Sequence, residues 1–235
     1  MKKVLYIADF FVDKIKGGGE IYNDILINLL QEDGFEVITW ECARVTDKHL
    51  RLYRNCGYHI IVANFTLLNA AAMNELVKIP NSYSIMEHDH KYVKTRDPSQ
   101  YDDYLAPPSD IVNRKIYTNA KYIFAQSAIQ ADCIRKNLNI LHVINLGMSL
   151  WTDAQLEIIE KNINNPKKPE AAIINSQNPT KNTRGTISFC EQRRMPYALI
   201  GSPNFGEYIK QLSSYETYAF IPRVLESFNR VLLEA

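Results

Sequence analysis

The stretch that decides the fold is residues 4–31, which read VLYIADFFVDKIKGGGEIYNDILINLLQ. Its first residues, Val4 to Ala8, form a short apolar run that predicts a buried strand. Residues 20–31 repeat apolar side chains at the spacing of one helix face. Gly17-Gly18-Gly19 lies between the two patterns. The stretch therefore predicts a strand, a glycine-rich loop and a helix.

The same alternation of strand and helix continues beyond this stretch. Strands are predicted at residues 35–40, 59–63, 82–86, 121–125 and 141–146, and helices at 65–77 and 128–137. This order predicts a parallel sheet with helices on both faces. Residues 88–108 interrupt the pattern with a long polar and aromatic segment. Because the segment follows a strand end, where open α/β sheets bind ligands, we expect it to be functional or mobile.

A second unit of the same kind is predicted after a connector that ends in Asn164-Asn165-Pro166-Lys167-Lys168-Pro169. The connector itself contains a predicted amphipathic helix at 154–163. The strands of the second unit are expected at 171–175, 197–200 and 217–221, and its helices at 185–194, 208–213 and 226–235. The sequence thus predicts an α/β fold of two Rossmann-like domains, residues 1–150 and 151–235. The last helix has no C-cap residue. We therefore expect the second domain to be incomplete here, or that helix to pack on another chain, such as a second copy in a homo-oligomer.

Composition and charge exclude several classes of protein. Hydrophobic residues make up 46% of the 235 residues and charged residues 23%, which is typical of a soluble globular protein and not of a disordered one. The net charge is +1, which gives no support for binding to nucleic acid or to an anionic membrane. No apolar run approaches the roughly 20 residues of a membrane helix, and Asp9 interrupts the first one too early for a signal peptide. A cytoplasmic location is expected.

The four cysteines are scattered at positions 42, 56, 133 and 190 without a Cys-x-x-Cys pair. This spacing disfavours a zinc cluster or a redox pair, and reduced, mostly buried thiols are expected.

The glycine-rich loop, Gly17, Gly18 and Gly19, is the first candidate for chemistry. Backbone N–H groups at a helix N-terminus favour an anion such as a phosphate, although the same glycines are compatible with a merely flexible loop. The loop is not a dinucleotide fingerprint, because Tyr22 stands where the third glycine would be. Glu41 follows the second strand, about where a ribose-binding acid would lie. A nicotinamide-dependent oxidoreductase is therefore weakened but stays open.

The second candidate is the run Glu87-His88-Asp89-His90. Histidine suits acid–base work or hydrogen bonding to a sugar, and three ligand types close together could hold a metal. Adjacent residues point in different directions, however, so a substrate-contacting His88 and ordinary loop polarity are the other interpretations.

Two further candidates lie in the second unit. Lys181 and Arg184 open a predicted helix, where they could bind a diphosphate or form a solvated basic loop. Glu226 and Glu234 are expected on one face of the last helix, about 12 Å apart along its axis. At that distance they cannot share a proton as a glycosidase pair would, but they could hold two ends of a long ligand. Surface glutamates are the alternative.

Taken together, these motifs resemble the retaining glycosyltransferases of family four, which have the GT-B fold. The most specific part is the Glu-x7-Glu segment that ends in alanine, Glu226 to Ala235, with Phe220-Ile221-Pro222 before it. Gly17-Gly18-Gly19-Glu20, Tyr122 to Ser127 and Ala198 to Gly201 are similar to other parts of that family.

The resemblance implies a hexosyl transferase of glycan biosynthesis that retains anomeric configuration and needs no metal and no cofactor. Its donor would be a UDP- or GDP-sugar bound between the domains, and its acceptor an unknown glycan, lipid or small molecule rather than a nucleic acid. The catalytic residues would be His88, beside the transferred sugar, and Glu226, on the sugar hydroxyls. Glu234 would bind the ribose and Lys181 the phosphates. The other donor-binding candidates are Gly17, Gly18, Gly19, Arg184, Ser227, Phe228 and Asn229.

Two departures from the family pattern concern the phosphate contacts. Asn175-Ser176 stands where the family has Gly-Arg, so a bidentate phosphate contact is lost unless Arg184 replaces it. Asn182, not glycine, follows the lysine. A degenerate, non-catalytic relative that acts as a binding module is therefore the alternative function.

Overall fold

The computed structural model describes residues 2–235, which form two units, one ending at Leu150 and one beginning at Trp151. The helices and strands of the first unit are β1 (Lys3–Ala8), α1 (Gly18–Glu32), β2 (Glu36–Glu41), α2 (Asp47–Asn55), β3 (His59–Val62), α3 (Ala70–Val77), β4 (Tyr83–Glu87), α4 (Arg114–Thr118), β5 (Ile123–Ala125), α5 (Ala128–Leu138) and β6 (Val143–Asn145).

The first unit contains a six-stranded parallel sheet in the order β2-β1-β3-β4-β5-β6. Its central strands are buried on both faces, and Tyr6, Tyr22, Ile27 and Met86 belong to one cluster that packs α1 on the sheet. Strand β1 lies between β2 and β3, so the direction of strand addition reverses there. The carboxyl ends of β1 and β3 are therefore the place where a fold of this type binds ligands.

Residues 88–108 contain no strand and no α-helix, only short 3₁₀ turns, as the sequence predicts. The segment is nevertheless anchored. Val93 forms an antiparallel bridge with Ile111, and His90, Lys91 and Tyr92 are buried.

The second unit has a three-stranded parallel sheet in the order β8-β7-β9. Its elements are α6 (Asp153–Asn162), β7 (Lys168–Ile174), α7 (Thr183–Gln192), β8 (Tyr197–Ile200), α8 (Phe205–Leu212), β9 (Tyr215–Tyr218) and α9 (Arg230–Glu234). Side chains of α6 and α8 pack on one face of the sheet around Ala172 and Ile200. Cys190 of α7 packs on the other face with Ala171 and Ile173. The predicted fold, two Rossmann-like units with a small second sheet, is confirmed.

Two helices of the first unit differ from the prediction. The helix expected from residue 65 begins at Ala70, because the Asn69 side chain accepts a hydrogen bond from the amide of Ala72 and caps it there. Helix α2 is absent from the prediction, because its nine residues are mostly polar and Leu50 is the one buried residue among them. Its signal is the N-cap Thr46, which forms a reciprocal capping box with His49.

No helix within residues 2–235 has the length and apolar character needed to cross a bilayer. The four cysteines are free thiols, and all but Cys56 are buried.

Candidate functional site

In the second unit, the loops that follow β7 and β9 meet at the carboxyl edge of the sheet. The Asn182 amide donates to the carbonyl of Ile221 over 2.9 Å, and the backbone amide of Arg223 donates to the carbonyl of Thr180 over 3.0 Å. Because β7 lies between β8 and β9, these loops border the point where strand order reverses. They therefore stand where an open parallel sheet binds its ligand.

Lys181 and Glu226 form an ion pair in this place. The lysine Nζ lies 3.0 Å from both carboxylate oxygens, and the two side chains are 38% and 18% exposed. The structure thus brings together two residues that the sequence predicted as donor contacts from separate motifs. Both charges remain within reach of a ligand from solvent.

Two arginines add positive charge beside this pair. Arg184, which the sequence predicted, lies exposed in the first turn of α7 and makes no hydrogen bond or ion pair with residues 2–235. Arg223 was not singled out. It is also exposed, and its Nε donates to the Asn182 side chain over 3.1 Å. Three cations, Lys181, Arg184 and Arg223, therefore lie in the loops at the start of a ten-residue helix, and within the described part of the chain only Lys181 is paired with a carboxylate. Positive charge at a helix N-terminus favours an anion.

Asn182, which follows Lys181, adopts a left-handed backbone conformation of the kind that glycine allows. Its φ is +51°, in the left-handed region that asparagine tolerates better than most residues. Its side chain lies over Gly185, where an added Cβ would sit only 2.7 Å from the Asn182 Cγ. Gly185 is therefore needed for Asn182 to connect the two loops.

The expectation that Glu226 and Glu234 share one helix face is wrong. Helix α9 begins at Arg230, because the Asn229 side chain accepts a hydrogen bond from the amide of Leu232 and caps the helix there. Glu226 lies in the preceding loop. The Asn229 side chain bonds to the backbone and so ends the helix on its N-terminal side. The spacing of the two glutamates does not predict this cap.

Glu234 is engaged within the second unit. It is 8% exposed, and its Oε1 accepts from the Trp151 indole over 2.8 Å and from the Arg230 Nε over 2.9 Å. The Arg230 guanidinium also stacks 4.6 Å from the Trp151 ring centre. These contacts hold α9 to the start of the unit, so the ribose-binding role of Glu234 stays a prediction. Of the neighbouring candidates, Ser227 is buried, and Phe228 and Asn229 are half-buried.

In the first unit, His88 follows β4 and contacts side chains of α1 and of the loop that follows β5. Its Nε2 lies 2.7 Å from Asn23 Oδ1, its Nδ1 lies 3.4 Å from Gln126 Oε1, and Tyr22 packs edge-on against the ring. Burial, and then the charge of Lys91, lowers the pKa of His88 to about 4. The imidazole is therefore neutral at pH 7 and suited to a hydrogen bond rather than to an ion pair.

The glycine loop approaches His88. None of Gly17, Gly18 and Gly19 has a positive φ, so conformational freedom is not what requires glycine here. A Cβ added at Gly19 would lie 3.2 Å from the His88 Cγ, whereas at Gly18 it would meet nothing within 4 Å. Gly19 thus allows α1 to pass close to the histidine, and the structure brings these two predicted features together.

The other residues of the Glu87 to His90 run face different neighbours. Lys91 Nζ lies 2.6 Å from the buried Glu87 Oε1 and 2.5 Å from Asp89 Oδ1, while Tyr117 donates to the second Glu87 oxygen. His90 is buried against the hydroxyl of Tyr92, 2.9 Å away. Burial raises the pKa of Glu87 to about 7, although Lys91 opposes the shift. Within residues 2–235 no group of three histidine, cysteine or acidic residues is placed to hold a metal ion.

The structure does not favour the alternative function of a nicotinamide-dependent oxidoreductase. Residues 9–17 separate β1 from α1, which is too long for the tight glycine turn of a dinucleotide site. Glu41, the expected ribose ligand, is paired with Lys14.

Comparisons with known proteins show that this chain is similar in fold to solved structures. No family model matches the chain, and neither does any curated protein. Among solved structures, an alpha-glucosyltransferase in complex with UDP and a 13-mer DNA containing a central A:G mismatch matches with a TM-score of 0.57 and 11% identity, over 100% of this chain and 77% of that one. The catalytic domain of starch synthase IV from Arabidopsis thaliana, bound to ADP and acarbose, matches with a TM-score of 0.46 and 13% identity, over 99% and 76%. The first of these similarities supports the GT-B fold that the sequence predicted.

Proposed function

We propose that this protein is a glycosyltransferase that moves a sugar from a nucleotide-sugar donor to an acceptor. The observation that carries the proposal is the Lys181–Glu226 pair at the reversal point of the second sheet. An exposed ammonium suits a donor phosphate, and a carboxylate accepts hydrogen bonds from sugar hydroxyls. A fold shared with a UDP-bound alpha-glucosyltransferase supports the same function.

Charge stabilisation is the chemistry that these residues would provide. When the bond to the sugar breaks, negative charge develops on the departing nucleoside diphosphate. Lys181, Arg184, Arg223 and the first backbone amides of α7 would stabilise that charge. Since cations and amides can do this by themselves, we propose that transfer needs no metal and no cofactor. The predicted place of His88 beside the transferred sugar, and transfer with retention, belong to the same proposal.

The acceptor is proposed to be a glycan, a lipid or a small molecule. The alpha-glucosyltransferase with the similar fold was solved with DNA. This chain has a net charge of +1, which gives little general attraction to a polyanion.

The proposal is tested by calorimetric titration of the chain with UDP, GDP and ADP. One nucleotide is expected to bind, and Lys181→Ala should weaken it about tenfold or more through loss of a charged contact. Lys210→Ala is the matched control, because Lys210 is an exposed lysine of α8 in the same unit. If no nucleotide binds the wild type, or if Lys181→Ala binds like the wild type, the proposal fails.

Measurement of turnover distinguishes a glycosyltransferase from a protein that only binds the donor. With the nucleotide-sugar of the bound nucleotide, the wild type should release free nucleotide at the same rate with and without EDTA. Glu226→Gln should bind the nucleotide yet lose most of that turnover, because its amide cannot replace both acceptor oxygens. Donor binding without any turnover, over a range of acceptors, would instead favour the non-catalytic binding module.

A further inference from the structure

A cavity of about 420 Å³ lies in the first unit, between the loop that follows β3 and residues 91–96. Phe65, Leu68 and Val93 are buried apolar residues that line it. Lys91, Lys94 and Arg96 also line it, and among the described residues, 2–235, no acidic residue does. The cavity therefore combines apolar surface with three cations, and its volume is typical of a site for a small ligand.

Two of these cations keep donors for a ligand. The side chains of Lys94 and Arg96 are 56% and 47% exposed. Each forms a long ion pair with an acidic neighbour, with Lys94 Nζ 3.4 Å from Asp110 and an Arg96 guanidinium nitrogen 3.5 Å from Asp89. Both distances exceed the 2.7–3.2 Å range usual for a direct N–H···O bond. Lys91, in contrast, is buried and held closely by Glu87 and Asp89.

The cations are placed by an ordered backbone. The amide of Lys94 donates to the carbonyl of Asp110 over 2.9 Å, and the Asn113 side chain donates to the carbonyl of Lys91 over 2.8 Å. Arg96 has a φ of +56° and donates its amide to the carbonyl of Val93 over 3.0 Å. An ordered backbone loses little entropy when a ligand binds, so the positions from which Lys94 and Arg96 extend are set in advance.

We propose that this cavity binds a phosphate group carried by the acceptor, with Arg96 and Lys94 as the main contacts. The inference rests on the proposed glycosyltransferase function and gives its acceptor a chemical class. An arginine and a lysine match phosphate oxygens in geometry and charge, and the apolar surface accepts the carbon skeleton that carries the phosphate. The phosphate belongs to a soluble sugar phosphate or to a lipid headgroup.

The test uses the whole chain without nucleotide. Calorimetry is expected to show binding of glucose 6-phosphate and at least about tenfold weaker binding of glucose. The double variant Lys94→Gln/Arg96→Gln should lose about tenfold or more in affinity for the phosphate ester. Lys48→Gln, which removes an exposed lysine of α2, should bind like the wild type.

A second experiment, co-sedimentation with lipid vesicles, identifies whether the phosphate belongs to a lipid or to a soluble molecule. If the group belongs to a lipid, the chain should co-sediment with phosphatidylcholine vesicles containing phosphatidylglycerol and not with pure phosphatidylcholine, and the double variant should not co-sediment. The inference is overturned if wild type binds neither probe, or if the double variant binds them like wild type. Lys181→Ala must leave glucose 6-phosphate binding unchanged. If Lys181→Ala abolishes that binding, glucose 6-phosphate occupies the proposed nucleotide site. The phosphate-binding inference then fails, while the proposed glycosyltransferase function stands.

Discussion

Gly19 and His88 illustrate how the absence of one side chain can position a candidate catalytic group. The imidazole lies where a Cβ on residue 19 would press against it, and its Nε2 is held by Asn23. The glycine therefore acts through the space that it leaves and not through an unusual backbone angle.

Gly19→Ala is expected to move His88 by a few tenths of an ångström and to lower transferase activity. Gly18→Ala is the matched control, since its Cβ meets nothing and alanine favours the first turn of a helix. Activity and the His88 ring resonances of both variants provide the measurement. Equal activities would show that the close approach is unimportant.

The lowered pKa of His88 makes the stability of the folded protein depend on pH. In the folded chain His88 stays neutral until about pH 4, whereas the unfolded chain takes up its proton near pH 6.5. The unfolded state therefore binds more protons between these values, so His88 reduces stability as the pH falls from 6.5 towards 4. NMR titration should show no change of the His88 Cε1 proton from pH 8 to 5 in the folded protein, and a midpoint near 6.5 in urea. A folded-state midpoint near 6.5 would contradict the burial of the ring.

At the scale of elements, Asp9 joins the loops that follow β1 and β3. Its carboxylate is buried and accepts from the backbone amides of Thr66 and Leu67, each over 2.9 Å, and from the Thr66 hydroxyl. The loops at the reversal point of the first sheet are thereby held to each other by one side chain.

Asp9→Ala should lower the free energy of unfolding by about 2–4 kcal/mol, because it leaves two backbone amides without their acceptor. Asp13→Ala, at an exposed position of the same loop, should leave stability unchanged. Urea denaturation measures both. A small effect of Asp9→Ala would mean that water replaces the carboxylate without cost.

Helix α9 depends on Glu234 in a similar way. Glu234→Ala should lower the free energy of unfolding by about 3 kcal/mol, since it leaves the Trp151 indole and the Arg230 guanidinium without their shared acceptor. Glu226→Gln, in the more exposed Lys181–Glu226 pair, should change stability far less. Urea denaturation of the two variants tests this difference. If Glu234→Ala is as stable as wild type but loses nucleotide binding, the result supports ribose binding by Glu234. It then contradicts a role of Glu234 in stabilising α9.

At the scale of the whole molecule, charge limits the choice of partner. The chain has 27 basic and 26 acidic residues, so it lacks the excess positive charge that drives general attachment to DNA. Fluorescence anisotropy with labelled duplex DNA at 150 mM salt should give a dissociation constant weaker than about 100 µM. Micromolar binding would contradict the prediction that nucleic acid is not a partner.

Local patterns determined most of the elements of this protein. The buried strands are short apolar runs, and α1 has apolar residues at helical spacing, so the sequence predicts both and the parallel sheets that follow from their order. Helix α2 and the late start of α9 escaped prediction. Their bounds depend on single capping side chains, Thr46 and Asn229, whose local bonds outweigh the periodicity around them.

The residue types of the candidate site were also visible in the sequence, because lysine, histidine, glutamate and glycine carry recognisable chemistry. Their partners were not. Lys181 meets Glu226 across 45 positions and Glu234 meets Trp151 across 83, and neither spacing has a local signature. The first meeting arises because β9 joins the sheet beside β7, which places their following loops at one edge. The sequence by itself determined the elements and the charges. Only the tertiary structure decided which charges neutralise each other and which remain open to a ligand, since that depends on long-range strand order.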